Sequence, residues 1–320
     1  LVPYPLAANL SKGAAWAIGG GMTFRLGTRA SPLALTQAEM VRDALVAAHP
    51  GIAVELVPMR TTGDRVQDRA LAEIGGKGLW TKELDRALLA GEVDACVHSG
   101  KDVETIRPAE IAIAAMLPRA DVRDRLIGAP SIAALAAGAV VGTSSPRRRA
   151  QLLHLRPDLR TVLFRGNVAT RLARLEAGEA DATLLAAAGL DRLGRHDLGS
   201  AISIDEMLPA PSQAAVAIEV RAGSPAAGIV AVIDDAPTSM AVRAERALLA
   251  AFHAGCHSPV GALARIVDGR VVLRAQLLSE DGAETIAGEL SGAPGEDIAG
   301  ALARDLLARA PAAVKRLFGG

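Results

Sequence analysis

Arg147, Arg148 and Arg149 follow Gly142-Thr143-Ser144-Ser145-Pro146, which itself comes straight after the apolar run Ala139-Val140-Val141. A strand end, a helix start and three guanidiniums are thereby joined. With Ser145 as N-cap and Pro146 at the first helical position, free backbone N–H groups and the positive end of the helix dipole face outward. The arginines add forked donors suited to carboxylate or phosphate. A solvated basic first turn is the plainer alternative, but the dipole disfavours arginine there, and three in a row imply a negative ligand. Gly27-Thr28-Arg29-Ala30-Ser31-Pro32 matches it in chemistry and in its strand-to-helix position.

Three further clusters could carry chemistry. Cys96-Val97-His98-Ser99-Gly100-Lys101-Asp102 ends an apolar strand with polar groups, the place where an open α/β sheet keeps its site. Lys101 and Asp102 read either as a surface ion pair or as a carboxylate poised to hold a developing cation. His98 reads either as a satisfied buried histidine or as a base. Phe252-His253-Ala254-Gly255-Cys256-His257-Ser258-Pro259 places a cysteine in a Gly-Cys turn. A metal centre there lacks a fourth ligand, so none is expected. An inert loop thiol and a nucleophile or covalent attachment point both stay open. Gly75-Gly76-Lys77-Gly78-Leu79-Trp80 sets three glycines around a lysine, which suggests a lid; the spacing does not match a phosphate loop.

The elements that must position these groups alternate as β and α from Thr23 to about Val220. Expected strands fall near 23–27, 52–58, 94–98, 111–115, 139–142, 160–163, 181–185, 201–204 and 214–219, and expected helices at 32–48, 80–90, 146–154, 167–177 and 225–234. The chain also repeats itself. Ala90-Gly91-Glu92-Val93-Asp94-Ala95 is echoed by Ala177-Gly178-Glu179-Ala180-Asp181-Ala182, each after an amphipathic helix and before an apolar strand. Two related α/β units facing one cleft explain the echo, with both helix N-termini directed into it. After Pro237 the pattern changes to a helix at 238–252, alternating segments 259–267, 271–279 and 285–291, and a last helix at 295–317, a small α+β domain.

Composition bounds the function. The 320 residues are 50% hydrophobic and 22% charged, enough for two or three packed domains. Net charge is zero and no basic stripe is interleaved with aromatics, so no nucleic-acid partner is expected. No apolar run is long enough to span a bilayer, so no membrane partner is expected either. Two cysteines make no disulfide framework and fit a reducing cytoplasm. Residues 1–21, rich in Pro, Gly and Ala, read as a non-native or disordered extension before Met22.

Taken in order, the motifs resemble the porphobilinogen deaminase family. They are Arg29-Ala30-Ser31-Pro32-Leu33-Ala34, Gly75-Gly76-Lys77-Gly78-Leu79, His98-Ser99 with Lys101-Asp102-Val103, Gly142-Thr143-Ser144-Ser145 with Arg147-Arg148, Arg165-Gly166-Asn167 with Thr170-Arg171, and Gly255-Cys256 with Pro259. The resemblance runs from Thr23 to the C-terminus. It implies two related α/β domains like those of periplasmic binding proteins and a small third domain, divided as 22–117 with 215–234, 118–214, and 235–320, in a monomer. It implies a dipyrromethane cofactor held by thioether on Cys256, and head-to-tail condensation of four porphobilinogen molecules with loss of ammonia, then release of hydroxymethylbilane by hydrolysis.

Among site residues, the resemblance gives Asp102 the catalytic role, beside pyrrole N–H groups. It assigns cofactor binding to Lys101, Asp102, Thr143, Ser144, Ser145, Arg147, Arg148 and Arg171, substrate binding to Arg29, Ser31, Arg165 and Arg171, and the lid to Lys77 and Trp80. The chain departs from the family pattern at Gly100 (methionine), Ala169 (glycine), Val122 (proline), Ala254 (glycine), Trp80 (phenylalanine) and Pro211-Ser212-Gln213-Ala214 (Gly-Gln-Gly). None of these removes a charged or covalent participant; Gly100 and Ala214 bear on the backbone beside Asp102 and at the hinge near 118 and 211. A non-catalytic two-domain binder of a small carboxylate is the alternative from another class, and it would need neither Asp102 nor Cys256.

Overall fold

A computed structural model describes residues 23–61, 81–255 and 257–318. The extension at 1–21, the lid residues Lys77 and Trp80, and Cys256 lie outside the described residues.

The first sheet holds β1 (Thr23–Arg29), β2 (Ala53–Met59), β3 (Ala95–Ser99), β4 (Ile111–Met116) and β10 (Val216–Arg221), in the order β2-β1-β3-β10-β4. The second holds β5 (Asp124–Ile127), β6 (Val140–Gly142), β7 (Arg160–Val162), β8 (Ala182–Ala186) and β9 (Ser200–Ala201), in the order β7-β6-β8-β5-β9. These orders superpose. In both, the second and first strands and the first and third pair in parallel, while the fourth position is antiparallel to both neighbours. The fourth strand of each sheet arrives by a connection from the other, through 117–123 and 202–215, so two segments cross between the domains.

The sequence echo is an echo of bonds. Asp94 accepts from the Arg25 amide at 2.8 Å and returns its own N–H to the Arg25 carbonyl at 2.9 Å. Asp181 does the same with Val140, at 2.7 Å and 2.8 Å. In each copy the preceding glycine, Gly91 or Gly178, turns the chain at φ 71° or 74°, a left-handed conformation open to glycine without a Cβ clash.

The helices on these sheets are α1 (Pro32–Ala48), α2 (Lys82–Leu89), α3 (Pro146–Leu155), α4 (Val168–Glu176), α5 (Ala187–Arg192) and α6 (Ala226–Ala231). Leu26, Val41, Leu45 and Ile218 fill the first core, and Leu126, Val141, Leu152 and Leu184 the second. The third domain packs α7 (Ala236–Ala251) and α8 (Ile298–Arg309), followed by the short α9 (Ala312–Lys315), on the antiparallel sheet β11 (Val260–Val267), β12 (Arg270–Leu278) and β13 (Thr285–Gly292). Phe252 and Phe318 meet in its core with ring centroids 5.9 Å apart. No helix among the described residues is long and apolar enough to cross a membrane.

Four expectations about elements need correction. A short helix, Ala187–Arg192, forms where none is expected. The stretch 124–127 is a strand, masked in sequence by Asp124-Arg125 at its start. The strand expected at 201–204 is reduced to Ser200–Ala201, and the last helix breaks at Ala310-Pro311, where proline has no N–H to continue the ladder.

The crossing segments are gripped by one buried carboxylate. Glu245 on α7 takes a two-pronged ion pair from Arg119 at 2.7 and 3.0 Å, the Ser212 amide at 2.6 Å and the Ala264 amide at 2.7 Å. Arg119 also donates to the Gln213 carbonyl at 2.9 Å. Both crossings and the third domain therefore share one ionic node. Ser212 and Ala214 adopt φ of 63° and 70°, strained for residues with a Cβ, at the place where the family pattern has glycine. Replacing Ala214 by Gly should raise stability by about 0.5–1 kcal/mol, read as a higher urea midpoint at unchanged m-value. A lower midpoint would show that the left-handed backbone is not a source of strain there.

Candidate functional site: a cationic cleft between two helix N-termini

Both sheets present the carboxyl ends of their first strands to one cleft of about 850 Å³. Its walls begin with two matching helix starts. Ser31 caps α1 through the Ala34 amide and Ser145 caps α3 through the Arg148 amide, each at 3.4 Å and each with proline at the next position. Thr143 turns its hydroxyl inward and accepts from the Ser145 amide at 3.2 Å. Phe164 packs flat on Gly142, where any Cβ would overlap its ring, so the strand can pass beneath the aromatic only as glycine.

Of the expected site residues, Arg29, Ser31, Lys101, Asp102, Ser144, Ser145, Arg147, Arg148 and Arg171 all line this cleft. Thr143 and Arg165 are buried and are not part of its lining surface. Gly255 and Ser258, on either side of the Cys256 turn, reach the cleft wall. His98 does not line it: its Nε2 lies 3.2 Å from Glu219 inside the first domain, where Arg107 also pairs with Glu219 at 2.8 Å. Burial opposes ionisation of Glu219, but His98 and Arg107 outweigh it and hold the carboxyl at about 2. Of the two readings of His98, the structure supports the buried, partnered histidine.

The second-domain arginines are positioned by a group that the sequence reading missed. Asp124, buried at the head of β5, accepts from Arg147 at 2.8 Å and from Arg148 at 2.7 Å. Burial works against its ionisation, yet the two guanidiniums keep its carboxyl far below the usual carboxylate range. Arg147 also donates to the Leu208 carbonyl and to Gln151, so both its terminal nitrogens are engaged within the protein. Arg148 spends its other terminal nitrogen on the Leu184 carbonyl at 2.9 Å. The Nε of each is buried without an acceptor. Arg171 is braced by the Gly166 carbonyl at 3.0 Å and touches the Ser144 hydroxyl at 3.4 Å. Burial and the neighbouring Arg148 lower its pKa to about 10.

In the first domain, Asp102 stands 4.0 Å from Arg29 and keeps about a third of its side chain exposed to the cleft (36%). Lys101 donates to Gln213 at 3.3 Å, and Gln213 in turn donates to Asp124 at 2.9 Å and to the Val122 carbonyl at 2.8 Å. Gln213, also missed, is thus the polar link between the two domains at the floor of the cleft. Arg246 on α7 ties the loop after Asp102 through the carbonyls of Val103, Glu104 and Thr105. Among the described residues, seven arginines and a lysine line the cleft against one carboxylate, Asp102. An excess of that size, with unsatisfied buried Nε atoms behind it, fits a ligand carrying several carboxylates.

The family profile described as "Porphobilinogen deaminase, dipyromethane cofactor binding domain" matches residues 24–227, and the profile "Porphobilinogen deaminase, C-terminal domain" matches 239–308. The chain belongs to the porphobilinogen deaminase family. It is 57% identical over 304 residues to a porphobilinogen deaminase of Sphingopyxis alaskensis, covering 92% of this chain and 96% of that one. It is 50% identical to one of Paracoccus denitrificans over 90% and 95% of the two chains. Among solved structures, a probable amino-acid ABC transporter extracellular-binding protein of Bacillus subtilis aligns with 66% of this chain and 90% of its own, at 13% identity and a TM-score of 0.40.

Within this porphobilinogen deaminase cleft, burial, then Arg148, lower the Lys101 pKa to about 8, with Asp102 and Asp124 opposing. A bound carboxylate raises it again. Binding therefore takes up a proton above that pH, and affinity for a dicarboxylate should fall by up to about tenfold per pH unit as pH rises past 8. Titration calorimetry on either side of about pH 8 reads this, and Lys101→Met should abolish the dependence. A slope that survives in the variant would assign it to another group.

Proposed function

We propose that this protein condenses four porphobilinogen molecules head to tail on a covalently held dipyrromethane primer, releasing ammonia at each addition, and then hydrolyses off hydroxymethylbilane. It acts as a transferase of tetrapyrrole biosynthesis. The observation that carries the reading is Asp102, half-buried and the single carboxylate among the described residues of the cleft lining, set in a wall of guanidiniums. When bound, the primer supplies the electron-rich terminal pyrrole that attacks the incoming aminomethyl carbon.

The chain's own residues do the rest. Each porphobilinogen brings an acetate and a propionate, so a full chain carries roughly a dozen carboxylates, best met by forked or helix-terminal donors. Arg148 and Arg171, with the N-terminus of α3 and the hydroxyls of Ser144 and Ser145, hold such groups from the second domain; Arg29 and Ser31 hold them from the first, and Lys101 adds a point charge. Arg147 and Thr143 act mainly by fixing α3 in place. Arg165 adds positive charge behind Arg171, whose pKa it helps to lower. Asp102 faces the developing positive charge left as ammonia departs with the C–N electron pair, and accepts hydrogen bonds from pyrrole N–H groups. Arg246 positions Asp102 by holding the loop that follows it.

The Cys256 thiol takes the primer by thioether, the Gly255 and Ser258 flanks on the cleft wall supporting that placement. The three separate sheets support the division at 22–117 with 215–234, 118–214, and 235–320, and the protein acts as a cytoplasmic monomer. Intact mass should exceed the bare chain by two porphobilinogen units less two ammonia, with the excess mapping to Cys256 and missing from Cys256→Ser. An unmodified Cys256 that stays unmodified on incubation with porphobilinogen would favour the binding-protein alternative. Asp102→Asn should lose about 3–4 kcal/mol of transition-state stabilisation, some 10²–10³ in kcat, while retaining the mass of the primer.

A further inference from the structure

The cations of the cleft are not equivalent. Arg147 and Arg148 are tied to Asp124, Arg171 to Gly166, Arg246 to backbone carbonyls, and Arg29 faces Asp102. Arg60 and Arg195 differ. Both line the cleft, both are exposed, and among the described residues neither side chain has an acceptor or an ion-pair partner. Arg60 follows β2 in the first domain and Arg195 follows α5 in the second, so each domain contributes one.

Their backbones, by contrast, are held. Gly194 turns the chain out of α5 at φ 69°, and the Arg195 amide donates to the Leu190 carbonyl at 2.8 Å. Arg125, itself paired with Asp191 at 2.9 Å, donates to the carbonyls of Arg195 and His196 at 3.3 and 2.7 Å. On the other side, the Ala30 amide holds the Met59 carbonyl at 2.9 Å, one residue before Arg60. A fixed backbone delivers each long side chain to the cleft while its guanidinium is left for solvent or ligand. Both are exposed, whereas Arg147 and Arg148 are buried and Arg171 is half-buried.

We propose that Arg60 and Arg195 form a clamp across the mouth of the cleft for carboxylates on the later rings of the growing chain. This rests on the reaction proposed above, in which every added unit brings an acetate and a propionate. The inner cations meet the first of these, and the rim pair becomes engaged as the chain lengthens past them. An exposed charge pair contributes little alone, but two forked donors on a polyanion act together.

The test is stepwise elongation of the primer-loaded protein with limiting porphobilinogen, quenched and read by intact mass, for wild type, Arg60→Gln, Arg195→Gln, the double variant and Arg195→Lys. The slowing should grow along the series in the double variant, from under about twofold at the first addition to about three- to tenfold at the last. Species with intermediate numbers of units should then accumulate, with partial recovery in Arg195→Lys. A species distribution identical to wild type, or an equal slowing at every addition, would overturn the clamp. Wild-type protein that gains no units would overturn the assigned reaction itself, a result separable from elongating wild type with an unaltered variant.

Discussion

Asp124 is the constraint around which the cleft is built. Packing Arg147 and Arg148 side by side in a protein interior is prohibitive unless a buried negative charge compensates them, because each ion has lost its water. Asp124 does this with one oxygen to each guanidinium and a further bond from Gln213. It stands at the first residue of β5, just beyond the crossing from the first domain, so the position of the crossing and the position of the arginines are one variable. Removing it would leave two buried cations unpaired. That is a defect in the frame before it is a defect in ligand binding.

Glu245 plays the corresponding part for the third domain. Its carboxylate is entirely buried and is satisfied by Arg119 and two amides, one from the second crossing and one from β11. Arg246, the next residue, faces the other way and secures the loop after Asp102. One turn of α7 therefore couples the hinge, the third-domain sheet and the acid. In sequence, Cys256 follows the end of the same helix, the element that also holds the loop after Asp102.

Much of this was legible in the sequence, for identifiable reasons. The helix starts at Ser31-Pro32 and Ser145-Pro146 were readable because capping chemistry is local. The repeat is readable because Asp94 and Asp181 make the same pair of bonds to the neighbouring strand in each copy. Asp124 was not readable: a charged residue at a strand start looks like a turn, and only the fold brings it against arginines that follow more than twenty residues later. Gln213 reads in sequence as part of a hinge, since nothing local shows that its amide bridges Lys101 and Asp124. Arg147 looked like a ligand donor from its position and proves to be committed largely to the protein, a distinction that depends on the Leu208 carbonyl, far away in sequence.

The duplicated sheets also show where the copies diverged. After the third strand of the first domain the chain runs Gly100-Lys101-Asp102, whereas after the corresponding β8 it runs Ala187-Ala188-Gly189 into a helix. After the first strand the inequality reverses, with Arg147 and Arg148 in the second copy where Leu33 and Ala34 continue α1 in the first. Asp102 and the Arg147-Arg148 pair thus sit on opposite halves of a scaffold whose two sheets share one strand order. The cleft consequently has a polarity: an anionic chain lying in it would meet guanidiniums on both walls but a carboxylate on one wall alone among the described lining residues, so its two faces would not be interchangeable.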